Sequence, residues 1–300
     1  MNAPELTIVV PCYNGGRFFD QMFAGLDQQT YRNFEVIIVD DGSTDADTKA
    51  RLQNLPAGAS FIHQENKGLA AARNTGFTAA RSEFVLPLDC DDVLEPSFLA
   101  EAMALLKAAP PEVAFVYSHI KLTGGREGVH ECDFDPFDQL FLNELPYCLL
   151  LRKSAWAAVG GYDESMRDGY GGYADWDFNI HLSVMGFRAI RIDKPLFIYW
   201  VRPDGMLVSL SARMHGTIWR YIRTKYRDVY RFSSLYWRWR EHRSIPSAIR
   251  GAGLLFLATA LPLRWFDELF YRLLVAAHRR QTQAYLAASE SQRSLIARSN

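Results

Sequence analysis

Continuous apolar runs alternate with helical patterns along the first third of the chain. Runs without interleaved polar residues are typical of strands buried on both faces of a parallel sheet, and apolar residues at helical spacing are typical of helices packed on that sheet. The predicted strands are residues 6–10, 34–39, 60–63 and 84–88, and the predicted helices are residues 17–29, 45–55, 68–81 and 96–108. This order predicts βαβ units, and therefore an α/β fold with a Rossmann-like, mostly parallel sheet flanked by helices.

The pattern is less regular in the middle of the chain. Further strands are predicted at residues 113–122 and 195–200, and further helices at residues 152–159 and 174–185. Residues 124–138 carry glycines and acidic residues with little periodicity, which predicts an irregular, exposed loop.

Polar residues follow three of the predicted strands, at the point where each strand ends. They are residues 11–14 (Pro-Cys-Tyr-Asn), residues 40–44 (Asp-Asp-Gly-Ser-Thr) and residues 89–92 (Asp-Cys-Asp-Asp). Because ligands of open α/β sheets bind beyond the carboxyl ends of the strands, we expect the three clusters to converge on one binding site.

The third cluster places Asp89, Asp91 and Asp92 directly after a buried strand. Negative charge at the edge of a core costs several kcal/mol unless a positive charge neutralises it. A divalent metal with oxygen ligands, sharing its coordination with a diphosphate, would neutralise these carboxylates. The alternative is a solvated acidic turn without a ligand.

Composition narrows the class of protein. The chain is 49% hydrophobic and 22% charged, as in an ordinary globular protein with one large domain or two small ones. Its four cysteines, Cys12, Cys90, Cys132 and Cys148, show no CxxC spacing, which predicts reduced thiols in a reducing compartment. We find no signal-peptide pattern and no run of about 18 apolar residues, and therefore expect a cytoplasmic protein without a transmembrane helix.

The formal net charge of −1 conceals a strong asymmetry. Residues 213–250 hold ten arginines or lysines and two acidic residues, a net charge of +8, and residues 251–300 carry +3. Residues 1–212 therefore carry −12. An acidic body with a basic, aromatic C-terminal part indicates that the two parts face different partners.

Six motifs follow one another between about residue 5 and residue 205. They are VVPCYNGG (9–16), VDDGSTD (39–45), NKGLAAARNTG (66–76), LDCDD (88–92), GGYDESM (160–166) and YADWDFNIHLSVMGFR (173–188). In this order they resemble the family 2 glycosyltransferases, which have the GT-A fold. The resemblance implies an inverting, metal-dependent transfer of a sugar from a nucleotide diphosphate to an acceptor hydroxyl.

By this resemblance, Pro11, Tyr13 and Asp41 belong to the nucleotide site. Tyr13 offers an aromatic face on which a base can stack, and Asp41 can accept the N–H of a uracil or thymine ring or a ribose hydroxyl. The pair favours a UDP or dTDP donor. The alternatives are an aromatic ring that covers the core at Tyr13 and an Asp-Gly turn without a ligand at Asp41.

Positive charge is expected beside the diphosphate. Lys67 and Arg73 flank a helix start near Gly68, where cations and free backbone N–H groups can meet phosphate oxygens. Arg202 matches the place where related enzymes carry a basic residue in a loop that closes over the diphosphate. The alternatives are a solvated helix face for Arg73 and a surface arginine before a proline turn for Arg202.

The resemblance also assigns the metal to two carboxylates. Asp91 would ligate it directly, while Asp89 would contact the sugar or the ribose and reach the metal through water. Oxygen ligands favour Mn²⁺ or Mg²⁺, which would act as a Lewis acid on the departing diphosphate. Asp92 is expected to be structural, as a cap of the following helix.

Asp175 is the candidate catalytic base. Inversion requires a carboxylate that deprotonates the acceptor hydroxyl as its oxygen attacks the anomeric carbon. By the resemblance, YADWD stands where the family more usually has a Glu-Asp pair ahead of an aromatic residue, with Ala174 at the place of the Glu and Asp175 at that of the Asp. Asp177 and Asp168 are the other candidates. The alternative is that Asp175 caps a helix starting near Trp176. Trp176 is expected either to line a sugar pocket or to pack in the core.

The resemblance fades after about residue 210. Residues 216–243 mix arginine with tryptophan and tyrosine in a helical pattern, residues 251–263 are apolar or small, and residues 265–280 are amphipathic. Basic and aromatic residues beside an apolar segment too short to span a bilayer predict peripheral contact with an anionic membrane, at the inner face of the plasma membrane. The alternative is packing on the protein itself or on a second copy in a homo-oligomer. No nucleic-acid-binding motif accompanies the charge.

We therefore expect a catalytic domain over residues 1–210 and a basic, aromatic helical region over residues 211–300. The leading hypothesis is an inverting glycosyltransferase of bacterial-type surface-polysaccharide or glycolipid assembly, with a nucleotide-sugar donor and a glycan or lipid-linked acceptor. One alternative is a catalytically inactive sugar-nucleotide-binding or membrane-docking protein. The other is a sugar nucleotidyltransferase, although the Gly-rich, Lys-containing N-terminal loop of that class is absent.

Overall fold

The computed structural model describes residues 3–166, 173–202 and 212–241, together with Ala252, Gly253, Leu255, Phe256 and Trp265. The chain divides into two compact units. The first comprises Met1–Thr123, Glu127–Asp133 and Glu144–Trp200, and the second comprises Gly124–Arg126, Phe134–Asn143 and Val201–Asn300.

Strands and helices alternate through the first half of the chain. The strands are β1 (Leu6–Cys12), β2 (Phe34–Asp41), β3 (Ala59–Gln64), β4 (Phe84–Pro87), β5 (Val93–Leu94), β6 (Val113–Gly124), β7 (Gly128–His130), β8 (Leu150–Arg152) and β9 (Arg188–Val201). The helices are α1 (Phe19–Asp27), α2 (Ala46–Leu52), α3 (Leu69–Ala79), α4 (Phe98–Ala108), α5 (Lys153–Ala158), α6 (Ala174–Val184), α7 (Ala212–Lys225) and α8 (Phe232–Glu241).

The described strands form one nine-stranded sheet in the order β3-β2-β1-β4-β8-β6-β9-β5, with β7 paired to β6. The first four strands of this order are parallel, with Leu6 of β1 opposite Phe34 of β2 and Phe84 of β4. Every residue of β1 is buried, because β1 has a neighbour on each side and helices cover the faces. The predicted α/β fold class is confirmed.

The sheet continues beyond β4 with antiparallel pairs, in which β8 joins β4 to β6, and β5 pairs with β9. Strands β5, β7 and β8 are only two or three residues long, too short for periodicity to reveal. The prediction of an irregular, exposed loop over residues 124–138 holds only in part. Residues 126–131 are exposed, but Gly128–His130 pairs with β6, and both Cys132 and Phe137 are buried. Pairing there depends on the neighbouring strand rather than on a pattern of its own.

Helix α3 lies very close to the parallel strands because its inner face is made of small residues. A Cβ atom added to Gly76 would stand 2.2 Å from the Cγ1 atom of Val9 and 3.1 Å from the Cγ2 atom of Val39. The helix begins after Gly68, whose φ of 90° lies in the left-handed region that glycine tolerates. This close packing brings Arg73, one turn after the helix start, to the carboxyl edge of the sheet.

The second unit has an aromatic core of its own. The ring of Phe141 lies 6.2 Å from that of Trp219 and 5.9 Å from that of Tyr230, and the guanidinium of Arg223 stacks 4.8 Å from the Tyr230 ring. Helices α7 and α8 confirm the helical pattern predicted over residues 216–243. The patterns predicted over residues 251–263 and 265–280 lie outside the described residues, apart from the five single residues named above. Within the described part of the chain, no helix combines the length and the apolar character needed to cross a bilayer.

Candidate functional site

The carboxyl ends of β1, β2 and β4 bring the three polar clusters to one edge of the sheet. Tyr13 follows β1, Asp41 ends β2 and Asp89 comes shortly after β4. These strands are parallel neighbours, so the three residues lie along one edge. Pro11 is buried inside β1, opposite Val39 of β2. The side chain of Tyr13 is 53% exposed, so its ring does not cover the core.

Asn14 joins the segment after β1 to the segment after β2. Its Oδ1 atom accepts hydrogen bonds from the backbone N–H groups of Thr44 at 2.7 Å and Asp45 at 3.1 Å. Its own backbone N–H donates to the Oγ of Ser43 at 2.9 Å. Asn14 has a φ of 54°, a left-handed conformation that asparagine adopts more readily than most residues. These bonds fix the backbone beside Tyr13.

Asp41 is buried and binds the segment that leads into α3. Its Oδ1 atom accepts hydrogen bonds from Gln64 Nε2 at 2.7 Å and from the backbone N–H of Lys67 at 2.8 Å. Its Oδ2 atom accepts from the backbone N–H of Gly68 at 2.8 Å. A carboxylate has about four acceptor positions, so these bonds leave about one for a ligand. Asp41 therefore positions Lys67, whose side chain is exposed.

Asp40 is held ionised beside it. Its Oδ1 atom accepts the backbone N–H of Ser43 at 2.9 Å, and its Oδ2 atom lies 2.8 Å from His63 Nδ1. Burial raises the pKa of Asp40, but the hydrogen bonds from Ser43 and His63 outweigh it and lower the pKa overall. This carboxylate shapes the turn between β2 and α2.

Arg73 is buried and forms an ion pair with Asp89. Its Nη2 atom donates to Asp89 Oδ1 at 2.8 Å, and its guanidinium stacks 4.7 Å from the ring of Tyr147 and 5.5 Å from the ring of Tyr162. Burial by itself lowers the pKa of Arg73. The effects of Asp89 and the two phenols outweigh burial and raise the pKa above its ordinary value, so the guanidinium stays charged. With 2% of its side chain exposed, Arg73 does not lie on a solvated helix face.

Tyr147 joins Asp89 to Asp92. The Tyr147 hydroxyl donates to Asp92 Oδ2 at 2.6 Å and accepts the backbone N–H of Asp89 at 2.9 Å. Asp92 Oδ1 accepts the backbone N–H of Trp200 in β9 at 2.9 Å. The expectation that Asp92 caps the following helix is wrong, because α4 begins only at Phe98 and its N-cap residue is Ser97. Asp92 instead connects the acidic turn (residues 89–92) to β9 through a hydrogen bond.

Asn74, on α3, connects two motifs that are far apart in the sequence. Its Oδ1 atom accepts hydrogen bonds from the Tyr162 backbone N–H at 2.8 Å and from Trp156 Nε1 at 3.2 Å. Its Nδ2 atom donates to the Tyr162 carbonyl at 2.8 Å. Gly161 has a φ of 80°, and a Cβ atom there would stand 2.7 Å from Asn74 Oδ1. The Gly-Gly-Tyr segment (residues 160–162) therefore packs closely against α3, the helix that carries Arg73.

Asp175 lies in the first turn of α6. The helix begins at Ala174 after the N-cap residue Tyr173, so the alternative of Asp175 as the cap of a helix starting near Trp176 is wrong. Asp175 Oδ1 accepts the backbone N–H of Trp176 at 2.8 Å, and its side chain is half-buried. Trp176 is 1% exposed and packs in the core. The first turn of a helix is a favourable place for a negative charge.

Two buried tyrosines show that Asp175 and the acidic turn face the same region. The ring of Tyr162 stacks on the ring of Phe178 in α6 at 4.4 Å, and it also contacts the guanidinium of Arg73 in α3. Burial raises the pKa of Tyr199, and the carboxylates of the acidic turn (Asp89, Asp91 and Asp92) and Asp175 raise it further. Burial likewise raises the pKa of Tyr162, with Asp175 and Asp89 adding to it against the opposing effect of Arg73.

The acidic turn suits a hard divalent cation. It is tight, since the Asp92 N–H donates to the Asp89 carbonyl at 3.1 Å. Burial raises the pKa of Asp92 well above its usual range, and the neighbouring carboxylates of Asp91 and Asp89 raise it further. The contribution of these two carboxylates reflects the negative charge gathered in the turn. Asp89 is 27% exposed and Asp91 is half-buried, so both can reach a ligand. Within the described part of the chain, no three or more His, Cys, Asp or Glu side chains lie together in positions that could hold a metal ion.

The roles of two candidate residues stay predictions. Arg202 directly follows β9 and belongs to the second unit. Asp168 lies outside the described residues. Conversely, the sequence analysis did not identify Tyr147 or Asn74, whose polar partners lie far away in the sequence. For Asn74 a signal existed, because it belongs to the NKGLAAARNTG motif that was singled out.

Comparison with known proteins agrees with this architecture. Residues 7–152 match the sequence model of the family described as glycosyl transferase family 2. The chain is 35% identical over 233 residues to glycosyltransferase GlyA of Streptococcus pneumoniae, covering 71% of this chain and 33% of GlyA. It is 28% identical over 209 residues to the O-antigen biosynthesis protein RfbC of Myxococcus xanthus, covering 65% of this chain and 16% of RfbC. The chain thus spans a third or less of the length of these curated relatives.

Solved structures share the fold. TarS 1-349 of S. aureus, in complex with UDP-GlcNAc, superposes with a TM-score of 0.60 at 19% identity and covers 97% of this chain and 92% of that chain. The mannosyltransferase PcManGT from Pyrobaculum calidifontis, in complex with GDP-Man and Mn²⁺, has a TM-score of 0.53 at 20% identity, covering 97% and 81%. At these identities the likeness establishes the fold and not the ligand.

The hydroxyl of Tyr147 should contribute measurably to stability. Tyr147→Phe removes the hydrogen-bond partner of Asp92 Oδ2 and of the Asp89 N–H. Leaving a buried polar group unsatisfied typically costs about 1–3 kcal/mol. We expect the free energy of unfolding, measured in urea, to fall by that amount.

Tyr31→Phe is the matched control for this variant. It removes a hydroxyl that donates to Glu5 at 2.7 Å in a half-buried position, where water can replace the bond. A loss of stability for Tyr147→Phe no larger than for Tyr31→Phe would contradict a structural role for the Tyr147 network.

Proposed function

Because the chain belongs to glycosyltransferase family 2 through residues 7–152, we propose that it transfers a sugar from a nucleoside diphosphate to an acceptor hydroxyl, with inversion at the anomeric carbon. The proposal is best supported by Tyr199, whose pKa is raised first by burial and then by carboxylates of both the acidic turn (Asp92, Asp89 and Asp91) and α6 (Asp175). A base and a diphosphate site must face the same sugar, and these carboxylates come from distant parts of the sequence.

The donor nucleotide is proposed to bind along the ends of β1 and β2. The exposed ring of Tyr13 stacks on the base, Pro11 supports the strand beneath it, and Asp41 accepts a base N–H or a ribose hydroxyl with its remaining acceptor position. Lys67, held by Asp41 through its backbone, provides positive charge nearby. We propose UDP or dTDP as the nucleotide, a choice to which the UDP-GlcNAc bound by TarS lends support.

The diphosphate is proposed to bind at the acidic turn. Asp91 and Asp89 would hold Mn²⁺ or Mg²⁺ there, and the ion would supply the positive charge that stabilises the leaving diphosphate. PcManGT, of the same fold, is in complex with Mn²⁺. Arg73 serves the site through Asp89, because its guanidinium fixes the Asp89 carboxylate at 2.8 Å and is itself enclosed by protein.

Asp175 is proposed to be the base. The acceptor oxygen forms a bond to the anomeric carbon while the bond from that carbon to the diphosphate breaks, and the acceptor proton passes to the Asp175 carboxylate. The position of Asp175 in the first turn of α6 favours the ionised form that can accept a proton.

We propose residues 1–210 as the catalytic domain and residues 211–300 as a region that contacts an anionic membrane, with a glycan or lipid-linked acceptor. The relative RfbC is named as an O-antigen biosynthesis protein, which supports a role in surface-polysaccharide assembly. On α8, Phe232 is 59% and Trp237 56% exposed, and the guanidinium of Arg240 lies 5.2 Å from the Trp237 ring. Exposed aromatic rings next to arginine suit the interface of an anionic bilayer.

The first test is thermal stabilisation by UDP, dTDP and GDP, each with Mn²⁺ and with EDTA. A nucleotide at 100-fold over its dissociation constant adds about 2.7 kcal/mol, a rise in Tm of about 4 °C for a chain of this length. We expect Asp91→Asn to lose the Mn²⁺-dependent part of that rise. Asp193→Asn, at an exposed carboxylate, should keep it.

Either of two results would contradict this part of the proposal. An Asp91→Asn variant with an unchanged Mn²⁺ dependence would remove Asp91 as a metal ligand. A folded wild type that responds to no nucleotide would favour the inactive-protein alternative. Release of inorganic pyrophosphate from a nucleoside triphosphate and a sugar phosphate would instead favour a nucleotidyltransferase.

A second test separates binding from chemistry. We expect Asp175→Asn to keep the nucleotide-dependent rise in Tm and to lower the transfer rate by about 10²–10⁴-fold, the usual contribution of a general base. The rate and the anomeric configuration of the product can be followed by NMR, with Asp193→Asn as the control. An unchanged rate would exclude Asp175 as the base.

A third test concerns the membrane. We expect co-sedimentation with vesicles that contain anionic phospholipid, weaker binding to neutral vesicles, and a several-fold loss of binding in Trp237→Ala. Phe61→Ala, at an exposed aromatic on β3, is the control and should bind like the wild type. Equal binding to both kinds of vesicle, or to neither, would argue for packing of these helices on protein instead.

A further inference from the structure

Two cysteines meet beneath the acidic turn. Strands β1 and β4 pair from Leu6 opposite Phe84 to Val9 opposite Pro87, and the Leu88 N–H continues the ladder by donating to the Val9 carbonyl at 3.0 Å. Cys12 is the last residue of β1, and Cys90 lies two residues after Leu88, in the turn that follows β4. The ends of these two adjacent strands therefore bring both cysteines to the same edge of the sheet.

The sulfur atoms border one small space. A Cβ atom added to Gly15 would stand 2.5 Å from Cys90 Sγ and 3.4 Å from Cys12 Sγ, so both sulfurs lie close to a single point. No side chain of residue 15 occupies this position, because residue 15 is glycine. Both cysteines are free thiols, with Cys12 buried and Cys90 partly exposed. The pairing of β1 with β4 brings the two segments side by side, and the positions of the sulfurs show that the two thiols are close.

We propose that Cys12 and Cys90 form a reversible disulfide that disables the donor site, an inference that rests on the proposed function of that site. Nothing in the proposed transfer reaction uses either thiol. Free thiols that face each other at a ligand site are typical of transient, redox-sensing disulfides in reducing compartments.

The oxidant is a hydroperoxide, with hydrogen peroxide as the simplest example. The thiolate of one of the two cysteines attacks one peroxide oxygen and the O–O bond breaks, which gives a sulfenic acid and, with the thiol proton, one water. The sulfur of the other cysteine then attacks the sulfenic sulfur and forms the S–S bond. The sulfenic hydroxyl leaves with the second thiol proton as a second water. Two thiols are oxidised by two electrons and the peroxide is reduced by two, and a dithiol reverses the step.

The consequence for the site follows from the place of Cys90 in the turn. Cys90 and Asp91 are the two central residues of the turn closed by the Asp92 N–H and the Asp89 carbonyl. A covalent bond from Cys90 to Cys12, next to Tyr13, ties this turn to the end of β1. The carboxylates can then no longer adjust to a diphosphate and its ion, so we expect the oxidised protein to lose nucleotide binding.

The test treats the full chain with hydrogen peroxide, alkylates remaining thiols, and then maps peptides without reduction. In the wild type we expect a cross-linked peptide pair containing Cys12 and Cys90, together with loss of the Tm rise caused by UDP and Mn²⁺. Dithiothreitol should reverse both. Cys12→Ala should give no cross-link and keep its UDP response after peroxide, whereas Cys132→Ala, at another buried thiol, should behave like the wild type.

Each outcome decides the proposal. Absence of the cross-link in folded wild type overturns it, and so does a cross-link that leaves the UDP response undiminished. Cys90→Ala provides a second variant in case Cys12→Ala is unstable, and a cross-link that persists in it would assign the disulfide elsewhere. If untreated wild type responds to no nucleotide, the proposed function fails, and peptide mapping alone then supports or overturns the disulfide.

Discussion

The buried ion pair between Arg73 and Asp89 is the constraint on which the rest of the site depends. A guanidinium taken out of water costs several kcal/mol unless a charge and hydrogen bonds compensate it. Here Asp89 accepts one hydrogen bond at 2.8 Å, and the rings of Tyr147 and Tyr162 stack on the guanidinium. These contacts fix α3, which carries Arg73, relative to the turn after β4. The small residues of α3, above all Gly76, make that approach possible.

The ion pair leaves the acidic turn only partly compensated. Asp92 is satisfied by the Tyr147 hydroxyl and the Trp200 N–H, which are neutral donors, so its charge is solvated by the protein but not cancelled. The raised pKa of Asp92, caused first by burial and then by Asp91 and Asp89, reflects this imbalance. In the function proposed above, a divalent ion shared with a diphosphate would compensate the negative charge of the turn.

The sequence allowed the parallel half of the sheet and its carboxyl edge to be predicted, because β1, β2 and β4 are continuous apolar runs that end in polar residues. It did not reveal Tyr147, since nothing in a tyrosine within an apolar segment indicates a hydroxyl that reaches a carboxylate 55 residues away. Asn74 escaped for the same reason, with its partner at Tyr162. Strands β5 and β8 carry no periodicity of their own, and the segment Phe134–Asn143 finds its aromatic partners in helices that follow it by many residues.

The packing around position 174 explains why this chain has Ala there rather than Glu. Ala174 is 1% exposed, so a longer carboxylate there would enter a packed and already acidic region. Asp175, one residue on, is half-buried and lies in the first turn of α6, where backbone N–H groups favour negative charge. The same carboxylate acts on both Tyr162 and Tyr199, whose other neighbours belong to the acidic turn. In the proposed mechanism the single carboxylate at position 175 is the proton acceptor, and Ala174 adds no second charge to the core.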